Sequence, residues 1–128
     1  MKNLLLLSTL TLSLMFSSGS WAEWTYLYES DTGNKTYVDF DGLRKANGLV
    51  YYWSITDLLE PTKGGTMSYK IYSKVDCDTM REMKLSMSVY NLLMAEGTAE
   101  YTFTPDPEWL YAPPDSVLEA TLNAVCAH

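Results

Sequence analysis

Apolar and polar residues alternate with a period of two along most of this chain. Between Met67 and Cys77 the odd positions Met67, Tyr69, Ile71, Ser73, Val75 and Cys77 oppose Ser68, Lys70, Tyr72, Lys74 and Asp76. This predicts a strand with one buried and one wet face. The next run repeats the pattern: Met83, Leu85, Met87 and Val89 alternate with Glu82, Lys84, Ser86 and Ser88. Residues 49–58 predict a third strand, with Leu49, Tyr51, Trp53 and Ile55 on one side and Val50, Tyr52, Ser54 and Thr56 on the other. Neither of its faces is strongly polar, as suits a central strand. Shorter strands are predicted over residues 24–29, 35–39 and 100–104. Turn clusters separate them: residues 30–34, with Gly33, then residues 61–65, then Glu96-Gly97.

Near the C-terminus the period changes. Residues 105–114 hold four of the five prolines and predict a loop. Ser116 and Glu119 then form a capping box, with Asp115 adding negative charge at the positive end of the helix dipole. Leu118, Leu122, Val125 and Cys126 fall on one stripe of a short helix. Consecutive antiparallel strands, one late helix and no βαβ alternation predict an α+β fold. The expectation is about six strands in one antiparallel sheet, with the C-terminal helix packed on one face.

The N-terminus changes the compartment. Lys2 precedes an apolar run over residues 4–16, which is too short to span a bilayer. Ser20-Trp21-Ala22 offers small residues where a signal peptidase reads. Residues 1–22 therefore read as a secretory signal peptide, leaving residues 23–128 as a single mature domain. Without Lys2, eight basic residues face 16 acidic ones, a net charge of −8. That balance repels phosphate backbones and anionic membranes, so a nucleic-acid partner is not expected. No later stretch is apolar enough for membrane insertion after cleavage.

Export makes the two cysteines informative. Cys77 and Cys126 in an oxidising compartment are expected to pair. The only histidine is His128, so neither a closed metal site nor a Cys–His nucleophile can be assembled. There is no C-x-x-C. A Cys77–Cys126 bond would tether the apolar stripe of the helix to the buried side of the sheet.

Several short strings occur in an order that resembles the surface-adhesin E family of Gram-negative bacteria. These are Trp24; Thr36-Tyr37-Val38-Asp39; Val50-Tyr51-Tyr52-Trp53-Ser54-Ile55; Ser68-Tyr69-Lys70; Val75-Asp76-Cys77; Gly97; Trp109; Pro114-Asp115-Ser116-Val117; and Val125-Cys126. They span nearly the whole mature chain. The resemblance implies a six-stranded antiparallel sheet with a disulfide-tied C-terminal helix, and it allows a homodimer. It implies adhesion to host extracellular-matrix or serum proteins, and haem is a further ligand attributed to the group. The adhesin proper is a lipoprotein, whereas no cysteine here lies near the predicted cleavage site, so surface display does not follow.

Candidate chemistry is sparse. The alternation places Tyr52 and Tyr72 on the wet face of the middle strands, with Lys70, Lys74 and Lys84 nearby. Tyrosines and lysine stems suit a protein-binding face, because they bury area while keeping a polar tip. The same residues would serve cross-strand packing or a homodimer face. Asp39-Phe40-Asp41-Gly42 reads as a turn rather than a calcium loop. Met67, Met83 and Met87 read as core rather than metal or haem ligands. No catalytic constellation is visible. The expectation is a non-enzymatic exported binding protein, periplasmic or secreted, without a bound cofactor. A periplasmic inhibitor or accessory subunit of a cell-envelope enzyme is the alternative, and a carboxylate hydrolase comes third.

Overall fold

Turn chemistry sets the strand ends. In the computed structural model, which describes residues 23–128, Gly33 takes φ of 84° in the first turn. A Cβ there would lie 2.8 Å from Leu59, so both conformation and space call for glycine. The flanking strands β1 (Thr25–Glu29) and β2 (Lys35–Val38) pair antiparallel. Asp39 Oδ1 accepts from the Gly42 N–H at 3.1 Å, which closes the turn read at this point. The proposed leader, residues 1–22, lies outside the described residues.

Three long strands form the middle of the sheet: β4 (Leu49–Asp57), β5 (Ser68–Asp76) and β6 (Arg81–Tyr90). Two short strands lie end to end along each side of them. On one side β2 and β3 (Arg44–Ala46) both pair with β4. On the other, β7 (Tyr101–Phe103) and β8 (Leu110–Tyr111) both pair with β6. Every pairing is antiparallel, and the main path runs β1-β2-β4-β5-β6-β7. The six predicted strands are present. Strands β3 and β8 are additions, of three and two residues, too short to leave a period in the sequence.

The helix α1 (Val117–Cys126) lies across one face of the sheet. Ser116 caps it, accepting from the Glu119 N–H at 3.0 Å. Glu119 reaches one residue further back than a capping box predicts, to the Asp115 N–H, because the Ser116 N–H already donates to the Pro113 carbonyl. Leu122 and Val125 are fully buried against Val38, Val50, Tyr52 and Val75. A bond between Cys77 and Cys126, with Cα atoms 5.8 Å apart, joins the last turn of the helix to the end of β5. The expected α+β architecture and its tether are thus both present.

One irregularity decides which side chains share a face. Tyr72 pairs with Ser86 but Ser73 pairs with Lys84, so Leu85 is an extra residue in β6. The bulge breaks the alternation read from Glu82 to Val89. Met87 lies beside Ile71 on the helix side, whereas Met83 lies beside Lys74 on the opposite side. Met83 is therefore not part of the core stripe.

Candidate functional site

Opposite the helix, the sheet carries an aromatic and basic platform. The pairing register builds it row by row. Arg44, Tyr51, Lys74 and Met83 form one row, and Asp39, Trp53, Tyr72 and Ser86 the next. Tyr37, Ile55, Lys70 and Ser88 form a third. Trp53 and Tyr72 stack with ring centroids 4.6 Å apart, and Tyr51 lies 6.1 Å from Tyr72. The loop before β8 brings Trp109 onto the same surface, beside Lys74 and Arg81. The 3-10 turn Leu93–Ala95 bounds the other end, where the Met94 N–H donates to Asp57 Oδ1 at 2.7 Å.

The cations of this platform sit over rings. Lys70 Nζ is 5.0 Å from the Trp53 ring and Lys74 Nζ is 5.3 Å from that of Trp109. The Arg44 guanidinium lies 5.2 Å from Tyr51, and that of Arg81 4.2 Å from Trp109. Such contacts stabilise by about 0.5–1 kcal/mol at exposed positions. Among the described residues only Arg81 and Lys84 form ion pairs, with Asp76 at 3.4 Å and Glu82 at 3.7 Å. Arg44, Lys70 and Lys74 form no ion pair with a described carboxylate, although Asp39 lines a hollow with Lys70 and Trp53. Burial works to raise the Asp76 pKa. Hydrogen bonds from Thr79 and from the backbone N–H groups of Asp78 and Thr79, together with the Arg81 charge, outweigh it and hold the carboxyl below its usual range.

The sequence placed five residues on one wet face, and the structure separates them. Tyr72, Lys70 and Lys74 lie together on the platform. Tyr52 does not: it pairs with Ser73, points toward the helix and is only 2 % exposed. Both faces of β4 are apolar in sequence, so alternation alone could not say which one the helix covers. Lys84 is also on the helix side, because the Leu85 bulge reverses the first part of β6. Conversely, Arg44, Arg81 and Trp109 were not foreseen. Trp109 reaches the platform only through the two-residue strand β8, and nothing in a proline-rich loop announces that pairing.

Tyr52 has a different task. Its hydroxyl donates to the Glu82 carboxylate, which is only 3 % exposed. Burial pushes the phenol pKa well above its ordinary value, and the Glu82 charge and hydrogen bond push it further. The neighbouring Ser73 hydroxyl opposes the shift, although its Oγ makes no hydrogen bond of normal geometry. The pair borders a cavity of about 170 Å³ beneath the first turns of the helix, into which Lys84 also faces. Here a buried polar pair is satisfied within the core, and no second carboxylate faces Glu82 across the cavity.

No group of three His, Cys, Asp or Glu side chains that could hold a metal occurs among the described residues. The His128 ring stacks on Phe40 at 4.2 Å, with Nδ1 at the Ala124 carbonyl, while Met83 and Met87 lie on opposite faces. No described helix is long and apolar enough to cross a membrane.

The family profile described as Surface-adhesin protein E matches residues 24–127. Among solved structures, a crystal form of Haemophilus influenzae protein E superposes with a TM-score of 0.63 at 16 % identity, covering 84 % of this chain and 89 % of that one. A selenomethionine form of the same protein gives 0.60 at 17 % identity, covering 80 % and 85 %. Protein E from a non-typeable strain gives 0.57 at 16 % identity, covering 80 % and 75 %. At these identities the likeness is one of fold. No curated protein sequence matches the chain significantly.

Proposed function

This chain belongs to the surface-adhesin protein E family, and on that premise we propose that it is an exported, non-enzymatic binding protein that engages another protein through its platform. The observation that carries the reading is the set of cations outside any ion pair and held over aromatic rings: Arg44 on Tyr51, Lys70 on Trp53 and Lys74 on Trp109. Aromatic rings supply contact area at small entropic cost, and the cations supply orientation and encounter rate. If the protein is displayed on the cell surface, the partner is a host matrix or serum protein; if it stays in the periplasm, the partner is an envelope protein. A homodimer that joined two platforms would set like charges against each other, so this face is assigned to a different partner.

The experiment is site-specific photocrosslinking in living cells from Tyr72, with the same probe at Asn123, exposed on α1 across the sheet, as a control. Antibody labelling of intact cells reads the compartment in parallel. The expected result is a discrete crosslinked protein from Tyr72 and none from Asn123. Equal capture from both positions, or none from Tyr72, would overturn the assignment of this face. Capture of a wall-degrading enzyme, with loss of its activity, would move the protein to the inhibitor class.

A further inference from the structure

We infer that the platform takes an extended acidic segment of its partner, with carboxylates four residues apart and an apolar or aromatic residue midway between them. This rests on the platform being the binding face. The spacing comes from β5. Lys70, Tyr72 and Lys74 point to the same side of one strand, so the lysine positions lie roughly 13 Å apart. They reach to opposite sides of β5, Lys70 toward β4 over Trp53 and Lys74 toward β6 over Trp109. Between the two lysine positions lies the stacked Trp53–Tyr72 pair, half-buried. An extended segment laid along β5 presents its own residues i, i+2 and i+4 on one face at the same interval. Acid, ring and acid then meet Lys70, the Trp53–Tyr72 pair and Lys74.

Charge selects a short segment over a long polymer. The chain as a whole is strongly acidic, with 16 acidic residues against 9 basic ones, and four of the nine, Arg44, Lys70, Lys74 and Arg81, lie in this patch. A sulfated glycan or an anionic bilayer extends beyond the patch and meets that negative field. A protein segment with two acids in register touches only the patch. The flanking features limit its length, with Trp109 and Tyr111 at one end and the Leu93–Ala95 turn at the other.

The test is a titration of the isotope-labelled protein followed by NMR, which reads weak binding directly. One peptide carries Glu-Thr-Tyr-Thr-Glu. Its isomer, Thr-Glu-Glu-Thr-Tyr, sets the two acids side by side. A heparin fragment and phosphatidylserine vesicles complete the probes. The first peptide should shift the Trp53 indole and Tyr72 signals and bind roughly threefold to tenfold more tightly than the isomer. That preference should vanish in a folded Lys70→Glu/Lys74→Glu variant. Equal affinity for the two peptides would overturn the spacing while leaving the platform reading intact. Tighter binding of heparin or vesicles than of the peptide would overturn the choice of a protein segment. Silence of Trp53 and Tyr72 toward every probe would overturn both this inference and the platform as binding face.

Discussion

Tyr52 and Tyr72 lie on neighbouring strands, yet one is core and the other platform. The Tyr52 hydroxyl holds the buried Glu82 carboxylate, and removing it leaves that group short of a donor. Tyr52→Phe should therefore cost about 1–3 kcal/mol in urea unfolding at neutral pH. The sign of the pH dependence follows from the raised phenol pKa. The folded state keeps the Tyr52 proton at pH values where the unfolded chain releases it, so this contribution is complete below about pH 10 and declines as pH rises past it. Phenylalanine carries no such proton. The difference between wild type and Tyr52→Phe should thus narrow above about pH 10, and a constant difference would rule out the linkage. Tyr72 should behave otherwise. Tyr72→Ala removes the partner of Trp53 and should weaken peptide binding, read by NMR at the Trp53 indole, while the fold is retained.

At the scale of elements, a ten-residue helix and a ten-residue strand each depend on one local device. A helix of that length is marginal alone. Its docking combines the Leu122 and Val125 contacts with a bond that closes 49 residues of chain. In the chain-entropy account that closure contributes roughly 4 kcal/mol. Cys126→Ala should lower unfolding free energy by a few kcal/mol and speed amide exchange in α1 before β5, as measured by hydrogen exchange. Ser116→Ala should cost about 1 kcal/mol through the lost cap. In β6 the device is Leu85. Its extra residue puts Glu82 and Lys84 under the helix and Arg81 and Met83 on the platform, while Met87 and Val89 stay in line with Ile71 and Tyr69.

The whole molecule divides its work between two faces. The helix side holds the buried cluster with Tyr52, Glu82 and Lys84 beside it, while the other side gathers Arg44, Lys70, Lys74 and the rings. The cations contribute little to folding, because exposed charge contacts are individually weak. Neutralising Lys70 and Lys74 together as glutamines should change unfolding free energy by no more than about 1 kcal/mol, read from urea midpoints. The same pair of changes should abolish most of the Tyr72 crosslink and flatten its dependence on salt. A large loss of stability would mean that these lysines are structural.

The sequence by itself determined the six strands of the main path, the helix and the tether. Period-two alternation over residues 67–77, the capping box at Ser116 and a lone cysteine pair are local signals, each set by backbone geometry or by oxidation chemistry. Lys70, Tyr72 and Lys74 could be placed on one face, because a single strand's pleat settles that. Tertiary structure decided everything that requires two strands to be compared. Which apolar face of β4 meets the helix, where the Leu85 bulge resets the register, and that Trp109 and Arg44 join the lysines all depend on pairing between segments distant in sequence. Alternation says that neighbours point opposite ways; only the register says which side faces the core.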